Sequence, residues 1–523
     1  MEAVSGEKMV KFVVKRYDPE KGDFFTSTYD VPVRKGMTVL DALIYIKENL
    51  DGTLTFRYSC RMGICGSCAL RVNGKATSIC NLQVLELGTD TVVLEPLANL
   101  PPIRDLVVDV KPFFERFRSI RPYLIRPPGE PEEEFRQEPE VFKRYWPLSP
   151  CISCASCLSA CPASIDDVFP GPSALMTNYR FLIDTRDAGR EERLKMVGDT
   201  VWLCTACSSC SLVCPKEIDV ASAITEEKSM LVEEGRIARR IADVLENAMT
   251  YHNPLGRLQA KRLEWAEGLE PPLPLARDVG KAERLFFTCC LTAFEPRHQE
   301  VARAVLQALR KAGLELATLG SEEWCCGDHI LRMGEVGLFE ELAEHNASLF
   351  ERYGTSEVIT ISPHCYYVFK NEEPYRGLGL TVLHYTEVLA EALSSGRLRP
   401  SGSLKGLKVA YHDPCFLGKR SGLYEAPRAI LASIPGIELV EFGRNRENSF
   451  CCGGGAGRVW TEEAEPEKRP SIHRLREALD LGVDVIATSC PFCICMLEDA
   501  AKVLDVEEEI AVRDVCELLA QVL

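Results

Sequence analysis

Cys151-Ile-Ser-Cys154-Ala-Ser-Cys157-Leu-Ser-Ala-Cys161-Pro162 and, further along, Cys204-Thr-Ala-Cys207-Ser-Ser-Cys210-Ser-Leu-Val-Cys214-Pro215 share one spacing, Cys-x2-Cys-x2-Cys-x3-Cys-Pro. A chain with two such runs crosses its ligands. The first three cysteines of each run hold one cubane, and the fourth, set off by proline, reaches the other. The spacing therefore assigns Cys151, Cys154, Cys157 and Cys214 to one 4Fe-4S cluster and Cys204, Cys207, Cys210 and Cys161 to a second. Structural zinc sites take their ligands in two pairs and do not cross in this way. The remainder of the chain is expected to feed or drain this relay.

Composition agrees with a multi-domain intracellular redox protein. The 523 residues are 46% apolar and 26% charged, ordinary for globular cores. With 61 basic against 77 acidic residues the net charge is −16, a poor start for attracting nucleic acid or anionic lipid. No apolar run is long enough to span a bilayer, and MEAVSGEKMVKF lacks the apolar core of a signal peptide, so a cytoplasmic protein is expected. The 24 cysteines fall in tight groups, which in a long chain argues for metal ligation rather than a disulfide framework.

Residues 9–33 read as two strands, rich in Val, Phe and Thr and parted by Pro19 and Gly22. Thr38 with Asp41 opens a short helix. Cys60, Cys65, Cys68 and Cys80 then show Cys-x4-Cys-x2-Cys with a distant fourth, the plant-type 2Fe-2S spacing. Gly63 and Gly66 between them let the backbone wrap the cluster and turn N–H groups toward the sulfurs.

The stretches FRYSCRMGICGSCALRVNG (Phe56 to Gly74) and DVKPFFERFRSIRPYL (Asp109 to Leu124) resemble the iron-sulfur subunit of succinate dehydrogenase and fumarate reductase. Over residues 9 to about 250 the resemblance implies a beta-grasp 2Fe-2S ferredoxin domain (1–108) and an all-alpha two-cluster ferredoxin domain (109–275). It also implies a partner flavoprotein carrying FAD and the dicarboxylate site. Family members with a 3Fe-4S cluster carry an apolar residue at the position of Cys207, so the complete second run predicts 4Fe-4S here. Pro127 to Glu140 is proline- and acid-rich and reads as an exposed loop, and Val220 to Thr250 as one long amphipathic stretch. Prolines 254, 271, 272 and 274 mark a linker.

From about 280 the chain repeats itself as a duplicated alpha/beta unit, 280–400 and 401–523. The first copy runs RLFFTCC, helix, LELATL, Cys325-Cys326-Gly327, helix, EVITISPHC. The second runs KVAYHDPC, helix, IELVEF, Cys451-Cys452-Gly453, helix, DVIATSCPFC. Sites in open alpha/beta sheets form at strand ends, so each copy can gather its cysteines at one edge. The second copy offers Cys415, Cys451, Cys452, Cys490 and Cys493, five thiolates where a cubane has four iron corners. HDPC, SFCCGGGAG and SCPFC resemble the CCG domains of heterodisulfide reductase catalytic subunits, which implies a non-cubane 4Fe-4S cluster acting on a disulfide. In the first copy Cys290, Cys325, Cys326 and Cys365 align as metal ligands, but Ser362 stands where the second has Cys490. A 4Fe-4S cluster, a zinc ion or nothing all remain open there, with His364 as a substitute ligand.

Other features take plainer readings. Arg458 breaks the G-x-G-x-x-G pattern that Gly453, Gly454, Gly455 and Gly457 suggest. Cys289, Cys495 and Cys516 read as buried small apolar residues. His345 and His473 read as packing, and Arg297, Lys419, Arg420 and Arg458 as a solvated face.

The whole resembles the iron-sulfur subunit of a thiol:fumarate reductase of the methanogen type. That resemblance implies oxidation of coenzyme M and coenzyme B thiols to their heterodisulfide, with electrons passing through the clusters to FAD on the partner chain, which reduces fumarate to succinate. The alternative is a quinone-linked succinate dehydrogenase or fumarate reductase component whose CCG domains contact quinone or a membrane partner. A third class is a carrier or scaffold with zinc-loaded repeats. The ligand count predicts about 14 iron atoms, or about 18 with an occupied first repeat.

Overall fold

The computed structural model describes residues 8–129, 133–461 and 465–523. The chain forms two compact units. One comprises the residues up to Val201 together with Ser208–Glu227; the other comprises Trp202–Cys207 and Lys228–Leu523. Among the described residues no helix is long and apolar enough to cross a membrane.

The first unit begins with a five-stranded mixed sheet in the order Asp23–Val33, Lys8–Asp18, Thr91–Glu95, Ala69–Val72, Lys75–Ser78. Lys8–Asp18 pairs antiparallel with Asp23–Val33 and parallel with Thr91–Glu95. Alternation fixes its inner face: Val10, Phe12 and Val14 are buried while Lys11 and Lys15 are exposed. Each such side chain contributes about 1.5–3 kcal/mol through burial. The helix Val39–Tyr45 covers that face. Thr38 caps it in a capping box with Asp41, as the sequence predicts. Arg16, also buried, is satisfied by Asp105 at 2.8 Å and Asp51 at 2.7 Å.

From Lys111 to the end of this unit the described residues form helices without strands. Pro172–Leu182 is buried on nearly every side and forms the centre of this part. The acidic loop over 127–140 is exposed at Glu133 and Glu134, residues 130–132 lie outside the described residues, and a helix starts at Pro139. The signal-peptide reading rests partly on residues 1–7, which also lie outside them. The single stretch expected over Val220 to Thr250 is two helices, Val220–Glu233 and Arg239–Tyr251. Gly235, at φ +67°, turns the chain between them, and Arg236 N donates to Leu231 O.

The second unit holds two parallel sheets. The first repeat orders its strands Thr381–His384, Glu357–Thr360, Arg284–Phe287; the second orders Ile437–Val440, Leu407–Tyr411, Val485–Thr488, Ala511–Asp514. The duplication read from the sequence is thus visible as two sheets of similar topology. They differ at one edge: LELATL makes only isolated bridges, at Ala317 and Thr318, where the second repeat has the strand Ile437–Val440. The repeats are tied by Tyr385 to Asp514, 2.7 Å, and by Arg297 to Glu498 and Glu517, both 2.7 Å. Arg297 is therefore a half-buried inter-repeat ion pair rather than a solvated charge, and Lys419 and Arg458 are buried.

Candidate iron-sulfur sites

The loop from Cys60 to Cys68 behaves as its glycines predict. Gly63 N donates to Cys80 Sγ at 3.3 Å, Cys65 N to Cys60 Sγ at 3.3 Å and Met62 N to Cys60 Sγ at 3.5 Å. These backbone donors hold the Cys60 thiol down to about 6, whereas burial pushes Cys68 up to about 12. Gly63 and Gly66 both lie at positive φ. A Cβ on Gly66 would come within 2.5 Å of Ile152 O and 2.9 Å of the Cys154 Cα, so this loop lies directly against the first run of the next cysteine group.

Cys151, Cys154, Cys157 and Cys214 line one small cavity of about 20 Å³ together with Phe113, Ser173, Met176 and Ile218. The fourth cysteine of the second run is thus brought to the first three of the first run. Burial, and then the neighbouring thiols, raise Cys157. The two runs also share backbone geometry. Ser153 and Ala155 lie at φ +50° and +64°, and their counterparts Ala206 and Ser208 at +53° and +61°. Left-handed non-glycine residues at two matched pairs of positions store strain, which persists where the surroundings over-determine it. Of the second expected set, Cys204 and Cys207 belong to the second unit and Cys161 and Cys210 to the first.

In the second repeat all five expected cysteines converge, buried, at the ends of Leu407–Tyr411 and Val485–Thr488 and on the loop before Gly453. Cys451 and Cys415 sulfurs are 3.9 Å apart, Cys452 and Cys493 3.4 Å, and Cys490 hydrogen-bonds Cys493. Gly453 N donates to Cys451 Sγ at 3.4 Å. These are separations of unbonded sulfurs, well beyond a disulfide bond. Hydrogen bonds from Cys451 and Cys493 hold Cys452 well below its ordinary value. Although burial raises Cys490, Cys493 and His364 hold it down to about 5. Buried thiolates this close repel one another unless cations join them, and His412, with no hydrogen-bond partner at Nε2, shares the space with Cys452 and Cys493. The donor set fits a thiophilic iron-sulfur group. Cys207 hydrogen-bonds Cys451, and Thr205 Oγ1 lies 3.8 Å from the same sulfur. The glycine loop serves this approach: a Cβ on Gly455 would strike Thr205 O, so the loop is a packing device and not a phosphate cradle.

The first repeat gathers Cys290, Cys325, Cys326 and Cys365 as expected, linked in that order by thiol hydrogen bonds. Gly327 N donates to Cys325 Sγ at 3.5 Å, the counterpart of Gly453. Two features were not read from the sequence. Arg262, fully buried with Glu323, reaches Cys290 Sγ at 3.7 and 3.8 Å. Cys289, expected to be mere packing, hydrogen-bonds Cys365 and joins the group. His364, offered as a substitute ligand, instead engages Asp328 at 2.6 Å and Cys490 of the second repeat. Asp328, His329 and His364 form a buried trio beside it. His345 and His473 accept packing roles, each bonded to a backbone carbonyl.

Three sequence families match the chain: a 2Fe-2S iron-sulfur cluster binding domain over residues 11–115, a 4Fe-4S dicluster domain over 147–218, and a cysteine-rich domain twice, over 284–370 and 409–498. An uncharacterized iron-sulfur protein of Methanocaldococcus jannaschii is 33% identical over 98% of this chain and 100% of its own length. A component of the fumarate reductase (CoM/CoB) of Methanothermobacter marburgensis is 32% identical over 94% of this chain and 95% of its own length. A component of the dihydromethanophenazine:CoB–CoM heterodisulfide reductase of Methanosarcina barkeri is 29% identical over 72% of this chain and 94% of its own.

Proposed function

The chain belongs to the family of iron-sulfur oxidoreductase subunits that includes this component of the Methanothermobacter marburgensis fumarate reductase (CoM/CoB), and on that premise we propose that it oxidises thiols for a partner fumarate reductase. The half-reactions are two thiols, RSH and R′SH, giving RSSR′ with two electrons and two protons, and fumarate taking both up to become succinate. By the likeness, the thiols are coenzyme M and coenzyme B, and FAD sits on the partner flavoprotein. The cysteine sets above would hold one 2Fe-2S cluster, two 4Fe-4S cubanes and a non-cubane 4Fe-4S cluster, which would supply one-electron transfer between the thiols and the flavin.

The observation that carries this reading is the Cys207 contact. The five thiols of the second repeat meet a cysteine of the second dicluster run through Cys451. A thiol-reacting site there is next to the relay it must feed. In the first unit, Met62 and Ile64 stand 63% and 59% exposed beside Cys65, an apolar face suited to a docked flavoprotein. The mixed sheet with its covering helix supports the beta-grasp reading of 1–108, the strand-free helices the all-alpha reading of 109–275, and the two sheets the paired units 280–400 and 401–523.

The test compares two electron donors to the complex of this chain with its flavoprotein. Cys452→Ser is expected to abolish thiol-dependent fumarate reduction and leave reduction by an artificial dye feeding the flavin nearly intact. Retained thiol-dependent turnover in Cys452→Ser overturns the site assignment. Reduction by a quinol, with none by thiols, favours the quinone-linked alternative.

A further inference from the structure

The first repeat has a serine, Ser362, at the position where the second has Cys490, and Ser362 Oγ is occupied in accepting from His364 N at the start of the helix Pro363–Asn371. A fifth thiol nevertheless reaches the group. Cys289, 4% exposed, hydrogen-bonds Cys365 and lines the same crevice as Cys290, Cys325 and Cys326. In the repeat alignment Cys289 faces Pro414, the residue before Cys415. Proline holds φ near −65°, while Cys289 lies at φ +69° and ψ 149°. That conformation suits glycine and strains any residue with a Cβ, so a cysteine there carries a backbone strain that packing alone does not require.

We propose that Cys289 is the fifth thiolate of an iron-sulfur site in the first repeat, standing in from a different strand end for the cysteine that the second repeat supplies at Cys490. The second repeat draws two ligands, Cys490 and Cys493, from the end of Val485–Thr488. The first draws two, Cys289 and Cys290, from the end of Arg284–Phe287 and one, Cys365, after Glu357–Thr360. Both repeats then offer five buried sulfurs, with the adjacent pair, Cys325-Cys326 or Cys451-Cys452, in the middle of the set. Arg262, paired with Glu323, also donates to Cys290 Sγ and so ties that sulfur into the buried group. The assignment uses only the iron-sulfur character of the repeats and not the thiol:fumarate reading, so iron content tests it separately from the Cys452→Ser assay.

The full chain, purified anaerobically with its clusters and enriched in 57Fe, is compared with Cys289→Gly by iron analysis and Mössbauer spectroscopy. Glycine relieves the backbone while removing the sulfur, so the fold is spared. Wild type is expected to hold about 18 irons and Cys289→Gly about 14. The double variant Cys289→Gly with Ser362→Cys, which moves the fifth thiol to the second repeat's position, is expected to recover the lost iron and its spectrum. Cys495→Ser, removing a thiol outside either set, is expected to change neither. Unchanged iron in Cys289→Gly, a loss that a cysteine at 362 does not recover, or a wild type with zinc in place of the last four irons overturns the proposal.

Discussion

His364 of the first repeat hydrogen-bonds the Cys490 thiol of the second. Burial lowers the affinity of His364 for its second proton, but Asp328 at 2.6 Å and Cys490 outweigh burial and push it up to about 10, so the ring donates as an imidazolium to a thiolate. If Cys490 ligates an iron-sulfur group, as proposed, a charge-assisted bond to its sulfur favours the reduced, more negative state of that group. His364→Gln is therefore expected to lower the reduction potential of the second-repeat site. A bond of about 1–2 kcal/mol corresponds to a shift on the order of 50 mV for a one-electron couple. A potentiometric titration followed by EPR measures it, and an unshifted or raised potential refutes the role.

Cys207 packs with Cys415, Phe416 and Cys451 in one buried group. If it is also a ligand of the second cubane, Cys207→Ala opens that iron corner. The oxidised variant is expected to show a 3Fe-4S EPR signal absent from wild type, with about one iron fewer per chain. A wild type that already shows the signal contradicts the assignment.

Legibility followed the range of the interaction. Cysteine spacing is local, and it anticipated which sulfurs the fold gathers: Cys214 with Cys151, Cys154 and Cys157, and the five thiols of the second repeat. Strand alternation and the Thr38 capping box are local too and read correctly. What escaped depends on backbone angles or on distant segments. Cys289 looks like surplus beside Cys290 until its φ of +69° is known. Arg262 meets Cys290 only through the fold, and Asp328 meets His364 across a helix and a strand. LELATL has strand composition, yet lacks a strand partner beyond its isolated bridges. The amphipathic period over Val220 to Thr250 is real on both sides of Gly235, so periodicity alone could not reveal the break.

Gly66 is the point where the 2Fe-2S loop touches the first dicluster run. At φ +68° an added Cβ is strained, and it would meet the backbone at Ile152 O and Cys154 Cα, atoms that cannot swing away as a flexible side chain would. Gly66→Ala is expected to cost about 1–3 kcal/mol and to spread the two loops. The measurable result is a lower spin count of the reduced 2Fe-2S signal in EPR and slower re-reduction of that signal by rapid freeze-quench, while the C-terminal signals stay unchanged. Gly88→Ala, also at positive φ but with open space at its Cβ, is the control for backbone strain alone.

Glu227 ties stability to pH. Its carboxyl is fully buried; Oε1 accepts from Asn178 at 2.7 Å and Oε2 has no partner. Burial pushes it up to about 8, against the opposing hydrogen bond from Asn178. The folded protein thus keeps the proton through neutral pH, while the unfolded chain releases it near the ordinary carboxyl value. A raised acid penalises folding as pH rises: the penalty is absent below about 4.5, grows through the interval to about 8, and is then constant. At about 1.4 kcal/mol per unit the full effect is on the order of a few kcal/mol. Glu227→Gln keeps an acceptor for Asn178 and cannot ionise. Its melting temperature is expected to match wild type at pH 5 and to exceed it by a few degrees at pH 8. Calorimetric scans at matched ionic strength and scan rate decide, and parallel curves across that interval would show that Glu227 does not titrate with folding.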